Sequence, residues 1–548
     1  MPGGLLNIVA QGNANIMLTG NPTKTFFKVT YSKYTNFGLQ KFRLDFDGAR
    51  TLRLTESSTF TFKVKRYAEL LMDTYIVLTL PDIWSPIYHP SPETGNKWSA
   101  YDFRWIQNLG AQMIEEIEIT CGNVTLQKFS GQYLACMVER DFSAEKKALF
   151  YKMTGNVPDV NDPGNTGNVN TYPSAYYTTN PAGAEPSIRS RTLYIPINAW
   201  FCLDSRLAFP LIALQYNELV INVTIRPIQE LFQVRDIFDM SNNNPYIQPD
   251  FNQAQFQMYR FLQTPPAIEI TQDAYQNTNN IWNADIHLMT TYCFLSKEEA
   301  QLFAMQDQVY LVKDVFQYFF ENVTGSNRVK LTSNGMIANW MWFLQRNDVN
   351  LRNEWSNYTN WPYKTIPGSI TNAPLTVPES TGLPYGPAIN PDETNTGYYI
   401  TGDFNVDNQK EILQTMGIVL DGEYRENTLV SGIYNYIEKY TRTPGNAKDG
   451  IYCYEFGLNS SVFENQPSGA MNLTRFRNIE LELTTFVPAF DLSGIQVNVI
   501  CDTNGNAIGI SNNPSWRLYQ YNYNLTVFEE RYNVISFIGG NCGLLYAK

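Results

Sequence analysis

The residues that could do chemistry in this chain are two histidines, a cluster of three glutamates and seven scattered cysteines. A hydrolytic Ser-His-Asp or Cys-His site needs an imidazole held by a carboxylate beside a nucleophile. His89 stands in a Pro/Ser-rich stretch, Tyr88-His89-Pro90-Ser91, and His287 in an alternating run, Asp285-Ile286-His287-Leu288; both read as structural. Glycoside hydrolysis needs two carboxylates. Period-two alternation through Glu115, Glu116 and Glu118 places Glu116 and Glu118 on one strand face and Glu115 on the other. Such a pair on a tyrosine-rich sandwich could hold sugar or calcium, but a solvated strand face is the simpler account. Cys121, Cys136, Cys202, Cys293, Cys453, Cys501 and Cys542 show no CxxC spacing, and an odd, dispersed set fits reduced thiols and intracellular folding. There is no Walker loop or GxGxxG, and Gly539-Gly540 precedes Asn541-Cys542 rather than a helix, so it reads as a turn or bulge. No catalytic, cofactor-binding or metal-binding residue is assigned, and no cofactor is expected. Seven Asn-x-Ser/Thr sequons occur (Asn123, Asn222, Asn322, Asn357, Asn459, Asn472, Asn524). Asn222 falls in a dense strand pattern, and Asn357, opening a proline-rich loop, is the best placed to carry a glycan.

Composition narrows the function classes. The 548 residues suit two large sandwiches as well as four small domains. Apolar residues make up 43% and aromatics 14%, enough for extensive cores, while charged residues are only 17%, below the roughly 25% of an average soluble domain. A surface so poor in charge suits close contact with copies of itself. The net charge of −12 argues against a nucleic-acid binder, and the nearest basic cluster, Lys63-Val64-Lys65-Arg66, sits in an alternating strand pattern. The first charged residue is Lys24, so the basic start of a signal peptide is missing. The longest apolar stretch, 207–225, is broken by Pro210, Gln215, Asn217 and Glu218. The expectation is a soluble protein made in a cytosol.

The elements that would position these residues are mostly short strands. Thr59 to Lys65 alternates, Tyr75 to Leu80 is dense and stops at Pro81, and Ile114 to Thr120 alternates again, the pattern of a sandwich or barrel. Three helices are expected. Ser143 caps one through Met153, Ser296-Lys297-Glu298-Glu299 is a capping box opening one to about Met305, and Asp407 caps one ending near Gly417. Residues 154–188 and 353–391 resist assignment and read as long loops, and 229–280, ending in Pro265-Pro266, is expected to hold the inter-domain connection. Residues 1–22, uncharged and Asn/Gly-rich, are either a frayed tail or an arm that orders on a neighbour. One pattern occurs twice. Leu193-Tyr194-Ile195 leads to Pro210 and then to Glu218-Leu219-Val220-Ile221-Asn222-Val223; Ile451-Tyr452-Cys453 leads to Pro467 and then to Ile479-Glu480-Leu481-Glu482-Leu483. Recurrence at this distance suggests two copies of one large domain.

Residues 18–37, Leu-Thr-Gly-Asn-Pro-Thr-Lys-Thr-Phe-Phe-Lys-Val-Thr-Tyr-Ser-Lys-Tyr-Thr-Asn-Phe, closely resemble the N-terminal signature of major capsid proteins of large nucleocytoplasmic DNA viruses. The two copies of the repeat fall on further signatures, at Pro210-Leu211-Ile212-Ala213-Leu214-Gln215-Tyr216-Asn217-Glu218 and at Gln466-Pro467-Ser468-Gly469-Ala470-Met471-Asn472-Leu473-Thr474-Arg475. Leu420-Asp421-Gly422-Glu423-Tyr424-Arg425 and the run from Tyr532 to Tyr546 fit as well. The resemblance implies an all-β fold of two consecutive eight-stranded antiparallel jelly-roll sandwiches with a few short helices and long loops. The expected division is an arm at 1–22, a first roll at 23–228, a connecting segment or insertion at 229–280 and a second roll at 281–548. It further implies a non-enzymatic homotrimer of near-hexagonal outline in an icosahedral virion shell, assembled in the host cytoplasm. Its implied contacts are neighbouring capsomers, penton and minor capsid proteins and, indirectly, an inner membrane, with no direct nucleic-acid contact. The arm would touch neighbours on the inner face, and the long loops would form an outward crown. The alternatives are a carbohydrate-binding β-sandwich and a virion attachment protein.

Overall fold

The computed structural model describes the chain except residues 1, 11, 47, 164–184, 240–243, 267–274, 366–407, 489–497, 502–506, 512–515, 519 and 547–548. Strands are built where β-branched and aromatic residues alternate with polar ones. Ser58–Lys63 and Leu219–Ile225 bury every second residue, and their register sets Ile221 opposite Phe62 and Val223 opposite Phe60 on the inner face. These two strands join Ile114–Cys121 and Val124–Phe129 in one sheet; Phe37–Leu44, His287–Leu295, Leu70–Leu80 and Arg191–Pro196 form the sheet facing it.

The second sandwich has the same plan. Gln308–Phe320, Tyr523–Ile538, Met336–Arg346 and Ile451–Glu455 face Ser326–Leu331, Ile479–Thr485, Leu413–Leu420 and Glu423–Val430. Counted along the chain, the eight long strands of either roll lie in the order 1-8-3-6 against 2-7-4-5, two packed sheets with Greek-key crossings. The sequence repeat is strands six and seven of each roll. Even its proline-marked middle is matched: Phe209–Pro210 adds to strand three of the first roll and Met471–Asn472 to strand three of the second.

Pairing assigns two segments differently from the sequence reading. The sequence division at 281 puts His287–Leu295 in the second roll. Its hydrogen bonds lie in the first sheet, between Phe37–Leu44 and Leu70–Leu80. Residues 229–280 therefore sit between strands seven and eight of the first roll. Their Phe232–Arg235 and Tyr246–Ile247 strands form a small sheet with Phe103–Trp105. The passage between rolls is the helix Lys297–Met305, capped where Ser296 Oγ accepts from Glu299 N at 3.4 Å. The other expected cap also forms: Ser143 Oγ accepts from Lys146 N, opening Ala144–Thr154.

The helix expected to end near Gly417 is instead the strand Leu413–Leu420, an interior strand of its sheet. Its apolar run is buried, and Gly417 is there for close approach: a Cβ would come 3.3 Å from the Glu426 carbonyl oxygen and from Thr428. Asp407 lies outside the described residues, as do 164–184 and 366–407, which hold most of the two loops expected to form a crown. The next strand follows through Asp421-Gly422, both at positive φ, a two-residue hairpin turn.

Candidate functional site

In this molecule the residues with unusual chemistry gather where the two rolls meet. Met336–Arg346 is buried from Ile337 to Arg346 because both faces of its sheet are covered. Trp340, Trp342 and Leu344 fill the core of the second roll, whereas Met341 and Phe343, with Phe528 and Cys453, join the core of the first. The helix Gly131–Asp141, capped by Ser130 Oγ accepting from Tyr133 N, lies on that outer face. Its N-terminal glycine is required: a Cβ at Gly131 would sit 1.9 Å from the Ala111 carbonyl oxygen.

Arg140, fully buried on this helix, ties the rolls together. Its guanidinium donates to Asp141 at 2.9 and 2.6 Å, to Glu530 at 2.7 Å and to Asn339 Oδ1 at 3.0 Å. Asn339 Nδ2 and Tyr133 Oη each donate to Glu530 at 2.8 Å, and Ser460 Oγ donates to Asp141 at 2.7 Å. The backbone joins in where Gly445 N donates to the Arg140 carbonyl. Lys313 Nζ stands 3.9 Å from Glu530 and donates to the Ser460 carbonyl. Burial alone would raise the Glu530 carboxyl, but Arg140 and Lys313 outweigh it and hold it near 2. Burial pushes Asp141 up in spite of Arg140. Glu455, whose Oε1 has no hydrogen-bond partner, is held well above the carboxylate range by the same burial and by its negative neighbours. Two cations, Arg140 and Lys313, thus face three carboxyls, with burial raising Glu455 and Asp141 while Glu530 is held low.

A second contact comes from residues 346–363 of the second roll, which plug into the 229–263 insertion of the first. Arg352, fully buried, donates to Asp348 at 2.9 Å and to the carbonyls of Pro362 and Trp516. Asn353 Nδ2 donates to the carbonyls of Gln229 and Phe232, and Trp355 Nε1 to that of Glu230. Burial would raise Asp348, yet Arg352 and Arg346 hold it below the usual range.

The residues singled out from sequence lie apart from this joint or serve packing. A register shift opposite Thr224 and Ile225 leaves Glu115 without a cross-strand partner, so it is exposed beside the half-buried Glu116 and Glu118 rather than turned to the core face. Each is engaged: Glu115 by Ser57, Glu116 by Lys128, Glu118 by Thr125 and Asn222. His287 Nδ1 lies 2.7 Å from the Asp285 carbonyl, and the Asp285 carboxylate is committed to Arg43 and Arg50. His89 stacks on Tyr88. Asn357 is 1% exposed; its Nδ2 donates to the carbonyls of Trp361 and Pro362, and its Oδ1 accepts from Thr359. A glycan needs a free amide nitrogen with a route to solvent, and Asn357 offers neither. Asn472, inside a signature motif, is exposed and turns its side chain to Thr474 N. A cavity of about 50 Å³ between the rolls, lined by Gln127, Trp200, Lys313 and Tyr532 among others, falls far below the roughly 300 Å³ of a small-molecule site. Among the described residues no group of three or more His, Cys, Asp or Glu side chains is placed to hold a metal.

The comparisons with known proteins agree with this architecture. A family model described as "Major capsid protein N-terminus" matches residues 25–263, and one described as "Large eukaryotic DNA virus major capsid protein" matches residues 299–543. The chain belongs to the double jelly-roll major capsid proteins of large nucleocytoplasmic DNA viruses. It is 24% identical to the major capsid protein of Phaeocystis pouchetii virus over 594 residues, covering 100% of both chains. It is 23% identical to that of Paramecium bursaria Chlorella virus 1 over 556 residues, again covering both in full. Among solved structures, a quasi-atomic model of the PBCV-1 virus capsid superposes with a TM-score of 0.60 at 19% identity, covering 96% of this chain and 100% of the other. The Faustovirus major capsid protein superposes with the same TM-score at 12% identity, covering 97% and 96%.

A structural role in the virion shell accords with buried chemistry that builds a joint between the rolls. It also gives meaning to the N-terminal segment. Every residue from 3 to 36 whose burial is described is exposed, including Leu5, Leu6, Met17, Leu18, Phe26, Phe27 and Val29, and Phe27 is 99% exposed. The described hydrogen bonds of 2–36 stay within the segment. Monomeric soluble proteins rarely expose apolar surface of this extent.

Proposed function

We propose that three copies of this chain form a capsomer of near-hexagonal outline that tiles an icosahedral shell assembled in the host cytoplasm. The observation that carries this reading is the shared strand order 1-8-3-6 against 2-7-4-5, held in one rigid unit by the buried Arg140 joint. Three chains then present six like sandwiches, and the low charge of the chain suits surfaces covered by copies of itself. The functional division follows the pairing, with the first roll extending to Leu295 and the second beginning after the Lys297–Met305 helix. The exposed arm is the element that would reach neighbouring capsomers, penton or minor capsid proteins above an inner membrane. Light scattering after size exclusion is the test. A mass three times 62.7 kDa is expected, and a stable monomer at high concentration would overturn the reading.

A further inference from the structure

Residues 25–36, Thr-Phe-Phe-Lys-Val-Thr-Tyr-Ser-Lys-Tyr-Thr-Asn, have the composition of a strand but lie in no sheet. Eight of the twelve are β-branched or aromatic, and Phe27, Val29 and Tyr31 alternate with Lys28, Thr30 and Ser32, so an extended backbone carries apolar side chains on one face through this run and polar ones on the other. Phe26, Phe27, Val29, Tyr31 and Tyr34 are all exposed. The charge of this end is one-sided. Residues 1–44 hold Lys24, Lys28, Lys33, Lys41 and Arg43 and no carboxylate, while the rest of the chain, with 35 basic against 52 acidic residues, carries −17.

The rolls offer several sheet edges to such a segment, and charge separates them. Phe37–Leu44, Ser58–Lys63, Val124–Phe129 and Ser326–Leu331 each pair on one side only, and each carries only basic charges, which disfavours a basic strand. Gln308–Phe320 balances Lys313 against Asp314. Glu423–Val430 is different. Among the described residues it pairs only with Leu413–Leu420, makes no other backbone hydrogen bond, and bears Glu423 and Glu426 against Arg425 alone. Tyr424 and Val430 are exposed on it, and the helical turns at 433–442, which pack beside it, expose Tyr436, Ile437 and Tyr440. Free backbone, negative charge and apolar surface coincide on this edge.

We propose that residues 25–36 of one copy add as a strand to the Glu423–Val430 edge of a second copy. Main-chain hydrogen bonds to the free edge supply the affinity of such an addition, and side chains its selectivity. The twelve residues of the segment are enough to span the eight of the edge. Lys28 and Lys33 meet Glu423 and Glu426, and Phe27, Val29 and Tyr31 cover the apolar surface of Tyr424, Val430 and the helical turns that follow. The addition also covers a bare strand edge, which would otherwise template pairing with any other chain. The inference rests on the reading that copies of the chain associate, and it names one segment and one edge by which they do.

The test is carbodiimide coupling, which joins a lysine amine to a carboxylate in contact with it, applied to the associated full-length chain and read by mass spectrometry after digestion. The expected product links Lys28 or Lys33 to Glu423 or Glu426. Two variants show whether the link runs between copies. A chain with Glu423→Gln and Glu426→Gln has no acceptor, and one with Lys24→Arg, Lys28→Arg and Lys33→Arg keeps its charge but has no amine to couple. Neither alone should give the link, and co-expression of the two should restore it, because the lysines of one copy then meet the glutamates of the other. In the wild-type chain the amides of residues 25–36 and 423–430 should exchange hydrogen about tenfold more slowly once copies associate. A link that the co-expressed pair fails to restore overturns the proposal, as does binding of the arm to phosphatidylserine vesicles without the link. Unchanged exchange in 25–36 on association overturns it even if the variants fail to fold. A mass of three chains by light scattering without the link overturns this inference and leaves the trimer standing, whereas a monomer without the link overturns both.

Discussion

Replacing Arg140 by leucine removes the one guanidinium shared by Asp141, Glu530 and Asn339 while keeping an apolar stem in the helix. Asp141 would retain Ser460, and Glu530 would retain Tyr133, Asn339 and a lysine 3.9 Å away, so neither carboxyl loses every donor. Each does lose its close cation at 0 to 1% exposure. Breaking a buried ion pair from one side costs about 3–5 kcal/mol. If a roll of roughly 250 residues is the cooperative unit, that is a fall in Tm of roughly 6–20 °C.

The pH dependence separates this cause from a simple packing defect. In the wild-type chain Glu530 is held near 2, below an unfolded value of about 4.3, so its contribution is present above that unfolded value and is lost as pH falls toward 2. In Arg140→Leu the uncompensated carboxyl rises above its unfolded value. Its contribution is then full below about 4.3 and is lost as pH rises through the new folded value. Each pH unit over which a proton is taken up relieves at most about 1.4 kcal/mol, so the gap between variant and wild type should shrink from pH 7 to pH 5. Scanning calorimetry at a fixed rate at pH 5, 6, 7 and 8 reads this. The double variant Arg140→Leu/Glu530→Gln should lose less than the sum of the two single changes. A deficit below about 1 kcal/mol, one that is flat with pH, or strict additivity would refute the reasoning.

Glu455→Gln should match or exceed wild-type Tm at pH 7–8 and flatten the curve there. Burial raises the folded value of Glu455, so its contribution is full below about 4.3 and declines as pH rises, and a neutral amide escapes that decline; a larger loss at pH 8 than at pH 5 would contradict it. Asn357→Ala should lower stability by about 1–3 kcal/mol, because the Trp361 and Pro362 carbonyls lose a buried donor, and peptide mapping should find Asn357 without a glycan. Deleting residues 2–22, which make no described hydrogen bond to either roll, should leave the chain's Tm within about 1 °C while impairing assembly into particles; a large Tm loss in the isolated chain would show that the arm packs on its own body.

Local pattern carried the rolls but not their union. Period two marked the Ser58–Lys63 and Leu219–Ile225 strands because one face of each is wet, and the repeat marked strands six and seven in both rolls because both use the same turn into the same sheet. Where both faces are covered the signal fades. The run through Ile412, Leu413, Met416 and Ile418 reads as helix or strand equally well, and Gly417 imitates a helix end when it serves close backbone approach. Glu115 was misplaced because a bulge shifts the alternation by one residue, and Asn357 because a proline-rich stretch was equated with surface when residues 353–363 are wedged between the rolls.

The joint itself left a trace that pattern reading passes over. Glu529-Glu530-Arg531 interrupts an otherwise uncharged sixteen-residue strand, and Glu139-Arg140-Asp141 closes an otherwise uncharged helix. A charge in the middle of a buried run is costly unless its partner is supplied by another element. Here the partners lie 390 residues apart in Arg140 and Glu530. Two similar apolar faces could slide against each other with little loss, since dispersion and burial have no direction. The guanidinium of Arg140 finds Asp141, Glu530 and Asn339 together in only one docking of the rolls. Any other docking would leave the buried Glu530 without its close cation and Arg140 without its cross-roll partners, so the polar centre of the joint selects the geometry that its apolar surroundings stabilise.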